Sequence, residues 1–155
     1  MITLKSISRG LLAAVLAAGA ASCTGSDSPT SPVVFVGPAN LVVTDVRVGD
    51  GAVLAAGQTA TVHYGLWMYD PSGNDSKGTF LQDSRLTASA LSGFQIKIAT
   101  GSVIQGWVDG LPGMRVGGLR RLIIPPSLAY GSTGNGQIPP NAWLVFDVDL
   151  LAVTD

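Results

Sequence analysis

A chain of 155 residues with 12% charged side chains and a net charge of −1 can bury one core, but it offers no electrostatic footprint for nucleic acid or an anionic membrane surface. Twenty glycines and the lack of any glutamate point to a turn-rich β domain, because Glu favours helices and Gly serves tight turns. The single cysteine, Cys23, excludes an intrachain disulfide and a thiolate metal cluster.

Met1 to Gly10 carries Lys5 and Arg9, and the stretch from Gly10 to Ala21 has no charge. A basic start followed by a short apolar run is the pattern of a secretion signal, and the run is too short to span a hydrocarbon core of about 30 Å. Ala20-Ala21-Ser22-Cys23 follows at once and resembles a bacterial lipobox, with Ala20 where that pattern prefers Leu. The resemblance implies that Cys23 is lipidated and becomes the first residue of the exported chain, which accounts for a lone Cys at this point. Ordinary cleavage after Ala18-Gly19-Ala20 is the alternative. The expected organisation is a leader over 1–22, a flexible tether over 23–40 rich in Ser, Thr, Pro and Gly, and a domain over 41–155. Without Lys5 and Arg9 the chain keeps seven basic and ten acidic residues, a net charge of −3. Thr24 after the cysteine, rather than Asp, implies an outer-membrane address on the periplasmic side if the cell is Gram-negative.

The domain opens with two β-branched and aromatic runs, 41–48 and 59–68, with Gly49-Asp50-Gly51 supplying turn chemistry between them. A turn-rich loop spans 69–78. In 94–99, Phe94, Ile96 and Ile98 alternate onto one face. Ile104, Trp107, Val108 and Leu111 recur at helical spacing within 103–114, although Gly106, Gly110 and Pro112 make that helix dependent on packing. Strands over 119–125 and 143–153 complete the set, the last turning Leu144, Phe146, Val148 and Leu150 inward. The implied class is α+β, an antiparallel sheet curled around a helix.

Five ordered stretches carry a family resemblance: VHY at 62–64, VIQGW at 103–107, G-MRVGG at 113–118, P-S-L-AYG at 126–131 and IPPNAWLVFDVDLL at 138–151. Together they resemble the FKBP family of peptidyl-prolyl cis-trans isomerases over the whole candidate domain, which implies a strongly twisted antiparallel β-sheet wrapped around one short α-helix. The chemistry explains why apolar and aromatic residues are wanted there. Rotation about an X–Pro bond breaks an amide resonance worth about 18–20 kcal/mol, and uncatalysed exchange takes tens of seconds or longer. The twisted bond is less polar than the planar one, so an apolar pocket can favour it without nucleophile or metal. No cofactor is implied.

The resemblance makes Trp107 the pocket floor and Tyr64, Phe94, Val103, Ile104 and Phe146 its walls. It assigns the Tyr130 hydroxyl and the Ile104 backbone N–H to substrate carbonyls, with Ile138 covering one side. It implies proline-containing polypeptides as substrates, macrolides of the tacrolimus or rapamycin kind as further ligands, and a monomer whose only membrane contact is its lipid. The 78–85 stretch departs from the family, which reads Gly-Thr-x-Phe-Asp-Ser there. An ungapped match puts Leu81 and Gln82 at the Phe and Asp positions, whereas a shift by one restores Asp83-Ser84 and puts Gln82 in the aromatic place. The ungapped register is preferred, with Leu81 facing the pocket and a β-bulge as the local adjustment.

Other candidates read as structural. His63 lies mid-strand, turned away from the pocket. Asp147 and Asp149 share one side of a strand and face solvent with no opposing cluster, and Asp70, Asp75 and Asp83 add no metal or glycosidase arrangement. Arg120-Arg121 reads as a solvated pair. The expected function is X–Pro isomerisation in exported or envelope proteins; the alternative is a catalytically weakened proline-recognising or chaperone module on the same fold.

Overall fold

The computed structural model describes residues 32–87 and 91–155. The expected leader, the acylation site Cys23 and the first part of the tether lie outside the described residues. Six strands and one helix follow in chain order: β1 (Val42–Arg47), β2 (Thr59–Tyr69), β3 (Lys77–Asp83), β4 (Phe94–Lys97), α1 (Gln105–Gly110), β5 (Leu119–Ile124) and β6 (Leu144–Thr154). The strands make one open antiparallel sheet ordered β1-β5-β6-β2-β3, with β4 also on β2. This is the α+β architecture expected. Strands β1 and β2 adjoin in sequence yet do not pair, since β1 lies at the edge against β5. The Gly49–Gly51 turn instead leads away from the sheet, and Gly51 N–H bonds to the Val116 carbonyl.

The long partners β2 and β6 form the spine, with Tyr64 opposite Val148 and Leu66 opposite Phe146. Directly opposed residues share a face, so one row crosses the sheet through Leu122, Phe146, Leu66 and Gln82. That face carries the core, where Val62, Leu122, Leu144, Val148 and Leu150 are essentially inaccessible. Helix α1 lies on it through Trp107 and Leu111. The helix has only six residues, and isolated helices that short are unstable in water. Its two glycines bring it close enough to pack: a methyl group at Gly106 would come within 2.5 Å of Ile124 Cγ2, and one at Gly110 within 2.8 Å of Leu122 Cδ2.

The helix end is closed by Arg120, which corrects its reading as a solvated residue. Arg120 is buried, donates to the carbonyls of Gly110, Leu111 and Pro112 at 2.9, 3.4 and 3.2 Å, and forks onto both oxygens of Asp45 at 2.7 and 3.1 Å. One guanidinium thus satisfies the orphan carbonyls of the last turn and supplies a cation at the negative helix end. Directly opposed to Val148, Arg120 had to point into the core face, which a consecutive Arg-Arg pair cannot reveal.

The opposite face of β6 carries ion pairs, which corrects the reading of Asp147 and Asp149 as solvent-facing. Arg121 grips Asp147 at 2.7 and 2.9 Å, Lys77 reaches the same carboxylate at 2.6 Å, and Arg121 also meets Asp75 at 2.9 Å. Asp149 is held by Arg47 and Arg85. The stretch 32–40, read as tether, contains no strand but belongs to the same compact unit as the sheet. Val34 packs on the core, and Trp143 Nε1 donates to the Pro38 carbonyl at 3.0 Å.

Two outcomes follow from this packing. Alanine outranks glycine in helices by up to about 1 kcal/mol, yet Gly106→Ala is expected to lower unfolding stability in urea by about 1–3 kcal/mol through overpacking. A stabilised variant would overturn the close-contact account. Burial pushes the Asp147 carboxyl up, but hydrogen bonds and charge from Arg121 and Lys77 outweigh it and hold the group below the ordinary 3.8. Its contribution to stability is therefore complete above that value and drains away as pH falls through the lower folded-state value. Asp147→Asn should lower stability at neutral pH and flatten the loss seen on acidification below about pH 4, as followed by denaturation at stepped pH.

Candidate active site

The free edge of β2 is covered by two short strands rather than one. Strand β4 pairs with Thr59–Val62, strand β3 with the stretch from Gly65 to Tyr69, and the chain leaves the ladder between them. At that break Ser84 substitutes for a strand partner. Its hydroxyl accepts the Tyr64 N–H at 2.9 Å and lies 3.2 Å from His63 Nδ1. The Ser84 hydroxyl thus ties the His63 ring to the strand break. His63 therefore holds the strand break and is no general base of the cavity.

A cavity of about 220 Å3 opens beside this break. Trp107, at the first turn of α1, lines it together with Tyr64, Phe94, Tyr130 and Phe146. Tyr64 is the hub of the rings: its centroid lies 5.8 Å from Phe94, 5.4 Å from Trp107 and 6.1 Å from Phe146, the first two edge to face. Trp107 and Phe146 meet at 5.4 Å and 82°. Such edge contacts each add about 0.5–1.5 kcal/mol beyond area burial, so the walls brace one another. Among the described residues, Trp107 Nε1 is the buried side-chain nitrogen left without a hydrogen-bond partner. An orphaned donor costs about 1–3 kcal/mol, and here it belongs to an indole that lines the cavity.

Val103 and Ile104 line the cavity as expected from the resemblance. Ile104 is also the N-cap of α1, where the backbone N–H has no intrahelical acceptor and is available to a ligand carbonyl. Ile138 lies in an adjoining depression of about 340 Å3 that shares Leu66, Gln82 and Tyr130 with the first. Burial raises the Tyr64 phenol above its usual value, with the neighbouring Tyr130 and the Asp83 carboxylate adding to it. Tyr64 thus stays a neutral wall with a protonated hydroxyl.

The 78–85 stretch takes the shifted register, which corrects the preferred one. Leu66 faces Gln82 and the next residue, Trp67, faces Phe80, so Leu81 is the extra residue of a β-bulge. Gln82, in the cross-sheet row with Leu66 and Phe146, enters the cavity, while Leu81 lies against the adjoining depressions. Asp83 does not line the cavity. Its carboxylate accepts the Arg85 N–H at 2.7 Å and pins the Ser84–Leu86 turn, which fixes Ser84 at the strand break. Three further lining residues, Leu66, Ile96 and Ser102, were given no site role in the sequence, although Ile96 was placed on the face of Phe94. Leu66 and Ile96 lie two residues beyond Tyr64 and Phe94 on their strands, so alternation alone would have placed them; Ser102 carries no such signal.

A family model for FKBP-type peptidyl-prolyl cis-trans isomerases matches residues 51–151. The chain belongs to the FKBP-type peptidyl-prolyl cis-trans isomerase family. It is 41% identical over 118 residues to an FK506-binding protein of Streptomyces anulatus, covering 75% of this chain and 88% of that one. It is also 41% identical over 133 residues to the peptidyl-prolyl cis-trans isomerase FKBP53 of Arabidopsis thaliana, covering 84% of this chain but only 26% of that longer one. The crystal structure of FkpA from Escherichia coli superposes with a TM-score of 0.61 at 36% identity, over 74% of this chain and 48% of FkpA. The FKBP-type fold and the aromatic cavity thus coincide in one chain, while the longer relatives contain segments beyond the span matched.

Proposed function

We propose that this FKBP-type chain accelerates X–Pro isomerisation in exported polypeptides while held at the cell envelope by lipid on Cys23, on the periplasmic side of an outer membrane where the cell has one. The observation that carries the catalytic part is the cavity itself, floored by Trp107, walled by Tyr64, Phe94 and Phe146, and bordered by Tyr130. A proline ring set on the indole places its imide bond among apolar groups, which favour the less polar, twisted bond over the planar one. The Ile104 N–H and the Tyr130 hydroxyl hold the flanking carbonyls without changing charge. No proton, nucleophile or metal takes part. The same cavity is the seat for an FK506-type ligand, in keeping with the names of the relatives.

The alternative of a weakened binding module has one observation in its favour. Gln82 sets an amide where the shifted register calls for an aromatic ring, so one wall of the cavity is polar. An isomerisation assay on a short X–Pro peptide with the full chain separates the two. Acceleration over the uncatalysed rate is expected, reduced a few-fold in Tyr130→Phe and raised about two- to tenfold in Gln82→Phe, the worth of one aromatic contact. Binding of the peptide with no acceleration would leave only the binding module. The anchoring part is tested separately: Cys23→Ser should abolish incorporation of labelled fatty acid and release the chain from the membrane fraction, and an unchanged distribution would refute the lipid anchor.

A further inference from the structure

Beyond the cavity and its neighbouring depression lies a third, of about 230 Å3, that belongs to neither the aromatic floor nor the Tyr130 rim. One wall is Val33 and Phe35, from the segment that precedes the sheet; the other is Met68, Leu81 and Pro139, with Gln137 at the junction. The three hollows form a chain. The first and second share Gln82 and Tyr130, and the second and third share Leu81 and Gln137. The bulge is what joins them, because it sends consecutive residues, Gln82 and Leu81, into successive hollows.

The character of the surface changes along this path. Gln82, Asn135 and Gln137 line the middle hollow and bring amides that can pair with an extended backbone. The third hollow is mainly apolar, with Asp70 and Thr79 also in its lining, and Phe35 in its wall is left 36% exposed. Its N-terminal wall is held in place. Trp143 Nε1 bonds to the Pro38 carbonyl, the Trp143 ring lies so close to Gly37 that a methyl group there would approach it to 2.5 Å, and Val34 is packed on the core. A fixed, solvent-open apolar hollow continuous with the proline cavity calls for an occupant that already reaches the cavity.

We infer that this hollow is a specificity subsite for the substrate polypeptide, seating one apolar side chain outside the X–Pro dipeptide, with Phe35 as its selecting residue. The inference rests on the isomerase reading for the identity of the chain in the first cavity. It assigns to the segment just before the sheet a part in choosing substrates: unfolded segments in which a proline is followed or preceded at fixed spacing by a large apolar residue are preferred.

The test uses the full chain and two measurements. A series of X–Pro peptides carries a single leucine moved outward from the proline on either side, against alanine at each place. One place is expected to improve kcat/KM, and to tighten Kd by calorimetric titration, about tenfold, as for one partly buried apolar side chain. Phe35→Ala should erase that preference and Phe35→Leu keep it, while both turn over a short X–Pro peptide at the unchanged rate. A flat series, or a preference that survives Phe35→Ala, overturns the subsite. Failure to accelerate even the short peptide would instead remove the isomerase reading, and the Kd series would still decide the subsite.

Discussion

The site depends on a six-residue helix that cannot stand by itself, and one buried guanidinium holds it. Arg120 reaches from β5 across the core face to the carbonyls of Gly110, Leu111 and Pro112, and its other edge is fixed by Asp45 of β1. A buried charge held on both edges is costly to disrupt, because removing one partner strands the other groups away from water. The glycines at 106 and 110 then let the helix settle onto Leu122 and Ile124. Trp107 inherits its place from this clamp: neither its own rotamer nor the rings around it would hold the indole if the helix could roll.

The second constraint is the interrupted edge of β2. A continuous partner strand would cover His63 and Tyr64 and leave no opening beside them. The chain instead leaves after Asp83 and returns at Phe94, and Ser84 takes over the Tyr64 N–H so that the gap leaves that donor satisfied. The same few residues therefore open the cavity and keep the strand beneath it rigid. Rigidity matters for this chemistry, because a pocket that works by shape and low polarity loses its preference for the twisted bond if its walls relax around the planar one.

Much of this was legible in the residues. Alternation in β6 and β4, helical spacing around Trp107 and the ordered motifs gave the sheet, the helix and the ring set. What stayed hidden had physical reasons. Two adjacent arginines look alike in sequence, but strand alternation sends Arg120 under the helix and Arg121 to Asp147. Asp147 and Asp149 show no partner in sequence because their cations come from β1, β3, β5 and the turn after β3. The bulge at Leu81 could be foreseen as an irregularity, but its register is set by pairing with β2, which nothing local in GTFLQDSR specifies. The stretch before Leu41 has the composition of a linker, and its docking rests on an indole hydrogen bond, a close glycine contact and the packing of Val34 on the core.

The bulge ties these constraints to substrate choice. By inserting Leu81 it keeps Asp83 and Ser84 in step with the break in the edge, and it also swings Gln82 into the cavity. A straight β3 would face one side chain toward the cavity and the next toward Trp67 on the other side of the sheet, leaving nothing to link the cavity to the surface beyond it. With the bulge, two consecutive side chains stay near the core face, and the path of hollows runs from Phe146 past Gln82 and Leu81 to Phe35. The polar amide at position 82 then has a use that an aromatic ring would lack. In the proposed function it weakens the lining for the twisted bond but gives an extended polypeptide a donor and an acceptor where it leaves the proline cavity. The departure from the family pattern at this strand thus trades some of the apolar wall for contact with a longer stretch of chain.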